Sequence, residues 1–210
     1  MKDNNYQEIL KLLKENYLDA KAGLDFENPY ELLVATILSA QTTDVQVNKV
    51  TKALFPKYPS AKELSLASQS ELEEDIKTIG LYKNKSKNLI KTGKLLMEKY
   101  NGQIPSSREE LMELAGVGRK TANVVLSNAF SIPAIAVDTH VFRVSKRLGF
   151  SEGKNPDEVE RDLMRIIPKE DWKDSHHWLI WHGRLVCKAQ NPNCSNCPLS
   201  QECSFWQNSR

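Results

Sequence analysis

Apolar residues recur three and four positions apart along almost the whole chain, as at Ile9, Leu12, Leu13 and Tyr17, and no segment sustains the alternation of a half-buried strand. A chain patterned this way can cover its apolar stripes only by packing helix on helix, so the expected fold class is all-α. The local stop and start signals agree. Asn28-Pro29 reads as the opening of a helix through Leu38, Ser70 with Glu73 as a capping box for a helix closed by Gly80, and Ser107 with Glu110 as a second box. Asn155-Pro156 and Asp174-Ser175 read as later starts, and Gly149 as a C-terminal cap.

At 210 residues and 40% hydrophobic, the chain is long enough to bury one large core or two smaller ones that share an interface. No internal repeat, low-complexity tract or long Gly/Ser linker separates autonomous domains. The expected seam is Ser131-Ile132-Pro133, where proline ends one helix before Ala134 to Val137 leads to the next. The strongly apolar stretch from Leu32 to Ala40 is far short of the roughly 20 residues that span a bilayer, so no membrane segment is expected. Met1 to Asn5 has no apolar secretory core, and an intracellular, cytoplasmic protein is expected. A formal net charge of +2 does not announce a polyanionic partner, so any such argument must come from where the charges sit.

All four cysteines fall in one short segment, Cys187-x6-Cys194-x2-Cys197-x5-Cys203. In a reducing compartment that clustering reads as a metal site more readily than as two disulfides. Four soft thiolates suit iron-sulfur or zinc, and spacing alone leaves both open. His176, His177 and His182, with Trp178 and Trp181, follow helical spacing and read as packing.

A second constellation lies between Leu111 and Asn128, where Gly116-Val117-Gly118 interrupts a helical pattern that resumes at once. This reads as helix, tight hairpin, helix, with Val117 plugged into the core. The glycines allow positive φ and let backbone N–H groups approach a phosphate. An isolated Gly-x-Gly is equally an ordinary αα-corner. Downstream, Asp138 precedes Thr139-His140-Val141 and reads as a helix N-cap. Lys83, Lys85, Lys87, Lys91 and Lys94 form a run without acidic residues that suits either phosphates or a solvated face; Arg143, Lys146 and Arg147 carry the same ambiguity.

Leu114 to Ala122 resembles the hairpin motif Leu-Pro-Gly-Val-Gly-Arg-Lys-Thr-Ala of the helix-hairpin-helix DNA glycosylases, departing only by Ala115 in place of proline. Val137 to Arg143 is similar to their Val-Asp-Thr-His-Val-x-Arg segment, and the cysteine spacing is that of the [4Fe-4S] loop in the endonuclease III family. The three motifs occur in the family's order, and the resemblance runs from roughly Asn28 to Cys203.

The resemblance implies a two-lobed glycosylase with a barrel-like helical lobe over residues 22–132 and a terminal lobe of residues 1–21 plus 133–210, the latter carrying the cluster loop 187–203. It implies a bifunctional glycosylase and abasic-site lyase, monomeric, acting on duplex DNA that holds damaged pyrimidines or abasic sites. Lys120 would be the nucleophile and Asp138 the assisting carboxylate; Cys187, Cys194, Cys197 and Cys203 would hold the [4Fe-4S] cluster. Gly116, Val117, Gly118, Arg119 and His140 would contact DNA. Ser39 to Asp44 is similar to the segment whose glutamine enters the base stack, which nominates Gln41, and Gly80-Leu81-Tyr82 to the one supplying an apolar wedge, which nominates Leu81. Relatives carry several basic residues between the first two cysteines, whereas only Lys188 stands there in this chain, which weakens a phosphate-gripping role for that loop. Two rivals remain at this stage: the adenine-mismatch glycosylase branch, which lacks the hairpin lysine, and a noncatalytic DNA-binding module with structural zinc.

Overall fold

The computed structural model describes residues 5–20 and 23–209. Among the described residues there is no strand, and the α-helices are α1 (Tyr6–Asn16), α2 (Pro29–Leu38), α3 (Asp44–Lys57), α4 (Ala61–Leu66), α5 (Gln69–Asp75), α6 (Tyr82–Tyr100), α7 (Arg108–Glu113), α8 (Arg119–Ala129), α9 (Thr139–Leu148), α10 (Pro156–Ile166), α11 (Trp172–Leu185) and α12 (Ser204–Gln207). The all-helical expectation holds. The chain divides into two compact units, one of Ala22–Ile132 and one of Met1–Lys21 with Pro133–Arg210. They are called below the hairpin unit and the cysteine unit.

The capping signals act where side-chain oxygens meet the first free N–H groups. Asn28, Ser107 and Asn155 accept from Glu31, Glu110 and Glu158 respectively, and Gly149 closes α9 at φ 85°. Two expectations need correction. The cap before α5 is Ser68, not Ser70; the helix starts at Gln69 and ends at Asp75, well before Gly80. Asp174 and Ser175 lie inside α11, because a single 3-10 turn at Lys169–Asp171 feeds that helix at Trp172.

In the hairpin unit, α2 packs on α3, α6 and α8, and eight of its ten residues are buried, from Tyr30 and Leu32 to Leu38. A helix that is apolar all round belongs at the centre of a bundle. Each fully buried leucine of this kind stabilises the fold by about 1.5–3 kcal/mol. α6 is amphipathic and lays Leu89, Thr92 and Leu96 inward, with α4 and α5 packed against it.

In the cysteine unit, α9 packs on α10, α11 and α12, and α1 on α11. Its core joins Ile9 and Leu13 of α1 to Val141, Val144 and Leu148 of α9, and Leu179 of α11, and it includes the buried Cys187 and Cys203. The N-terminal helix is stitched in by polar contacts also: Tyr6 donates through its hydroxyl to the Gly149 carbonyl at 3.3 Å, and its ring meets Phe150 edge-on. Trp178 and His176 are buried as expected, the latter with Nδ1 donating to the Ala136 carbonyl at 2.6 Å.

Candidate functional site

The hairpin between α7 and α8 is built from the residues the sequence singled out. Gly116 has φ 82°, a conformation that disfavours a side chain, and a Cβ there would also press on Asn88. Gly118 differs from expectation: at φ −95° it is extended, and a Cβ would have nothing within 4 Å. Its glycine is therefore not demanded by the turn. What the missing side chain does is leave the backbone at the start of α8 open to an approaching group. Val117 is buried, the Ala115 carbonyl accepts from Thr92 Oγ1 at 3.0 Å, and Arg108 Nε donates to Asn123 Oδ1 at 2.9 Å, so the two hairpin helices are tied to each other and to α6. Lys120 is exposed in the first turn of α8, next to the half-buried Arg119.

The same unit brings the two other nominated loops together. Gln41 follows α2 at φ 56°, and Leu81 opens α6 at φ 60°. Left-handed backbone at a residue other than glycine costs about 1–3 kcal/mol, so both positions are held by their surroundings. Leu81 is exposed despite its size, at 54% of its surface. Beside these loops Lys85 is buried, whereas Lys83, Lys87, Lys91 and Lys94 are exposed along α6.

The cysteine unit holds Asp138, His140 and the four cysteines. Asp138 is the N-cap of α9: Oδ1 accepts the Val141 N–H at 2.8 Å. His140 Nδ1 lies 3.3 Å from Arg143 Nη2. Because the guanidinium can only donate, Nδ1 is the acceptor and the ring's N–H is on Nε2. Arg143 also donates from Nε and Nη2 to the Cys187 carbonyl and from Nη2 to that of Gly183. Arg147 donates from Nη1 to the Lys188 carbonyl at 2.7 Å and to Cys187 Sγ at 3.4 Å, and from Nη2 to the Ala189 carbonyl, with its guanidinium over the Phe205 ring. These two arginines, ambiguous in the sequence, fasten the cysteine loop to α9.

All four cysteines are free thiols, and all four line one small pocket together with His182, Leu148, Phe205 and Trp206. Among the described residues no three His, Cys, Asp or Glu side chains close on a single ion position. The four thiols face one pocket, and this all-sulfur donor set fits a polynuclear iron-sulfur cluster. Burial pushes the Cys197 thiol up to about 11, with the other three cysteines adding to the shift, and burial likewise raises Cys203. Cationic metal at the site reverses that balance and favours thiolates. His182, which the sequence assigned to packing, reaches Cys197 Sγ with Nε2 at 3.7 Å and contacts the Tyr17 hydroxyl with Nδ1 at 2.9 Å.

Known proteins similar to this chain agree with one another. The family model described as HhH-GPD superfamily base excision DNA repair protein matches residues 34–169. The chain is 56% identical to endonuclease III of Bacillus subtilis (strain 168) over 189 residues, 90% of this chain and 86% of that protein. It is 48% identical to endonuclease III of Escherichia coli (strain K12) over 198 residues, 94% of each. Among solved structures, it matches a trapped endonuclease III-DNA covalent intermediate in an estranged-adenine complex at TM-score 0.92 and 52% identity, over 98% of each chain. A thermostable thymine-DNA glycosylase, 24% identical, shares the fold at TM-score 0.89 over 97% of each chain.

Proposed function

Since the chain belongs to the HhH-GPD superfamily of base excision DNA repair proteins and is a DNA glycosylase and abasic-site lyase of the endonuclease III type, we propose that Lys120 attacks damaged pyrimidine nucleotides in duplex DNA with Asp138 assisting. The observation that carries this reading is the exposed Lys120 amine in the first turn after a glycine hairpin whose backbone is open at Gly118.

The damaged nucleotide must leave the stack before any side chain can reach its sugar. Gln41 and Leu81 fill the gap it leaves, and the hairpin from Gly116 to Arg119, with His140, holds the phosphates around it. As the glycosidic bond stretches, C1′ becomes electron-poor, and the Asp138 carboxylate stabilises that charge. The Lys120 nitrogen bonds to C1′ and the base departs with the glycosidic electron pair, taking up a proton. Opening of the sugar ring then leaves an imine between Lys120 and C1′. Loss of a C2′ proton and breakage of the C3′–O bond expel the 3′ phosphate, which nicks the strand on the 3′ side of the lesion. Water then releases the lysine.

Cys187, Cys194, Cys197 and Cys203 would hold a [4Fe-4S] cluster, which would serve as a staple for the C-terminal segment. Arg143 and Arg147 keep the loop on α9 whatever the metal.

Borohydride tests the nucleophile. Reduction during turnover of a damaged-pyrimidine duplex is expected to leave the protein attached to DNA through the peptide that contains Lys120. Lys120→Gln is expected to bind DNA and trap nothing. Normal trapping by that variant would move the chemistry to another amine.

A further inference from the structure

Lys85 sits in a run of lysines, yet only 4% of it is exposed. Its ammonium donates to the carbonyls of Leu38 at 2.8 Å and Ala40 at 2.5 Å, and to Thr42 Oγ1 at 3.4 Å. Its three N–H donors therefore each meet an oxygen, and none of the three is a carboxylate. Leu38 is the last residue of α2, whose final carbonyls lack helical partners and carry the negative end of the helix dipole. Burial holds the lysine pKa below its usual value, and these oxygens are what offset the cost of keeping a cation there.

The same residue reaches the second loop through its backbone, because the Lys85 N–H donates to the Leu81 carbonyl at 3.0 Å. Thr42 closes the circuit: its Oγ1 also accepts the Gly80 N–H at 3.2 Å. Gln41 thus lies between two residues bonded to the ammonium, Ala40 and Thr42, and Leu81 is itself bonded to the Lys85 backbone. The two left-handed, non-glycine residues of these loops share one anchor.

We propose that Lys85 is the positioning residue that holds Gln41 and Leu81 in one frame, so that both enter an opened duplex as a preset pair. The proposal rests on the gap-filling role given to Gln41 and Leu81 above. In a preset pair, the order needed at the gap exists before binding, and misplacing either loop loses affinity for the opened duplex without touching the amine that does the chemistry.

Gap filling matters only when a second strand is present, so single-stranded abasic DNA is the control substrate. Lys85→Met and Thr42→Val are compared with the parent for binding to a duplex with a reduced abasic site and for borohydride trapping on a single-stranded abasic oligonucleotide. Lys85→Met is expected to weaken duplex binding about 10- to 100-fold and still to trap single-stranded DNA. Thr42→Val, which removes the shared hydroxyl but leaves the two carbonyl contacts of Lys85, is expected to act in the same direction and less. Adding Gln41→Ala to Lys85→Met is expected to cost less than Gln41→Ala costs in the parent. Equal losses on single- and double-stranded substrates, or multiplicative effects of Lys85→Met and Gln41→Ala, would overturn the proposal. Should Lys85→Met not fold, parent-like duplex binding by Thr42→Val overturns it alone. If Gln41→Ala and Leu81→Ala bind the duplex like the parent, the gap-filling reading falls and takes this proposal with it. Where those two variants are weakened but Lys85→Met and Thr42→Val are not, only the role of Lys85 is wrong.

Discussion

The Tyr17 hydroxyl lies 2.9 Å from His182 Nδ1, with the two rings edge to face. Burial pushes Tyr17 up to about 12, with Cys197 and Cys187 adding to the shift, and burial pulls His182 down to about 4, so at neutral pH both partners of this hydrogen bond are uncharged. The other ring nitrogen, Nε2, lies 3.7 Å from Cys197 Sγ.

Breaking this contact from the tyrosine side leaves a buried ring nitrogen without its hydrogen-bond partner. Tyr17→Phe is expected to destabilise the protein by about 1–3 kcal/mol, which for a chain of this size lowers the apparent melting temperature by about 2–4 °C per kcal/mol. Replacing both partners removes both polar groups at once, so Tyr17→Phe with His182→Leu is expected to cost less than the two single changes together. Additive losses, or a Tyr17→Phe protein that melts with the parent, would show that the contact contributes nothing.

Asp138 caps α9 and is proposed to act on the sugar, and two substitutions separate these roles. Asparagine caps about as well as aspartate, whereas alanine costs about 1 kcal/mol. Asp138→Asn is therefore expected to melt like the parent and yet release damaged bases more slowly by about 10²–10³-fold, as judged by single-turnover assays. Asp138→Ala is expected to lose both. Parent-like base release by Asp138→Asn would leave the residue a cap only.

Much of this arrangement is legible in the sequence because it is local. Caps such as Asn28 and Asn155 act within four residues, and the hairpin and the Val-Asp-Thr-His segment are contiguous. Lys85 was obscured by its neighbours, since a row of lysines reads as a solvated face. The signal was nevertheless present: Lys85, Leu89, Thr92 and Leu96 are spaced four, three and four apart, which puts Lys85 on the inner stripe of α6. The left-handed backbones of Gln41 and Leu81 are different. They arise from hydrogen bonds about 40 residues apart in the chain, as from Gly80 to Thr42, and no local preference of glutamine or leucine announces them. The tie from Tyr17 to His182 spans 165 positions and has the same character.

The cysteine site makes its own prediction. Purified protein is expected to be brown, with about four irons per chain, and a colourless protein with stoichiometric zinc would rule the cluster out. Cys197→Ser is expected to lower folded yield chiefly, because the site ties together a loop whose thiols, two buried and two half-buried, line one pocket. The melting temperature of whatever folds should then become insensitive to iron chelation.

The stability of the cysteine unit should also depend on pH through His177. This residue is 5% exposed and packed edge to face on His176, whose Nδ1 holds the Ala136 carbonyl. Burial pulls its pKa from 6.5 down to about 4, against the opposing pull of Asp174 and with a small push from Lys173. Between pH 6.5 and 4 the unfolded chain binds a proton at this ring and the native protein does not, so native stability falls as pH drops through that window and is flat above it. The full difference corresponds to roughly 3 kcal/mol, reached only below the native value. Other groups titrate in the same range, His182 among them, but they are common to parent and variant. The test is therefore a difference: apparent melting temperatures of the parent and of His177→Phe, measured from pH 7.5 to 4.5. The parent is expected to lose more than the variant as pH falls below about 6.5, so that the difference between the two curves shifts in the variant's favour toward acid. Parallel curves would mean that His177 does not become charged on unfolding, and that burial is not what keeps it neutral.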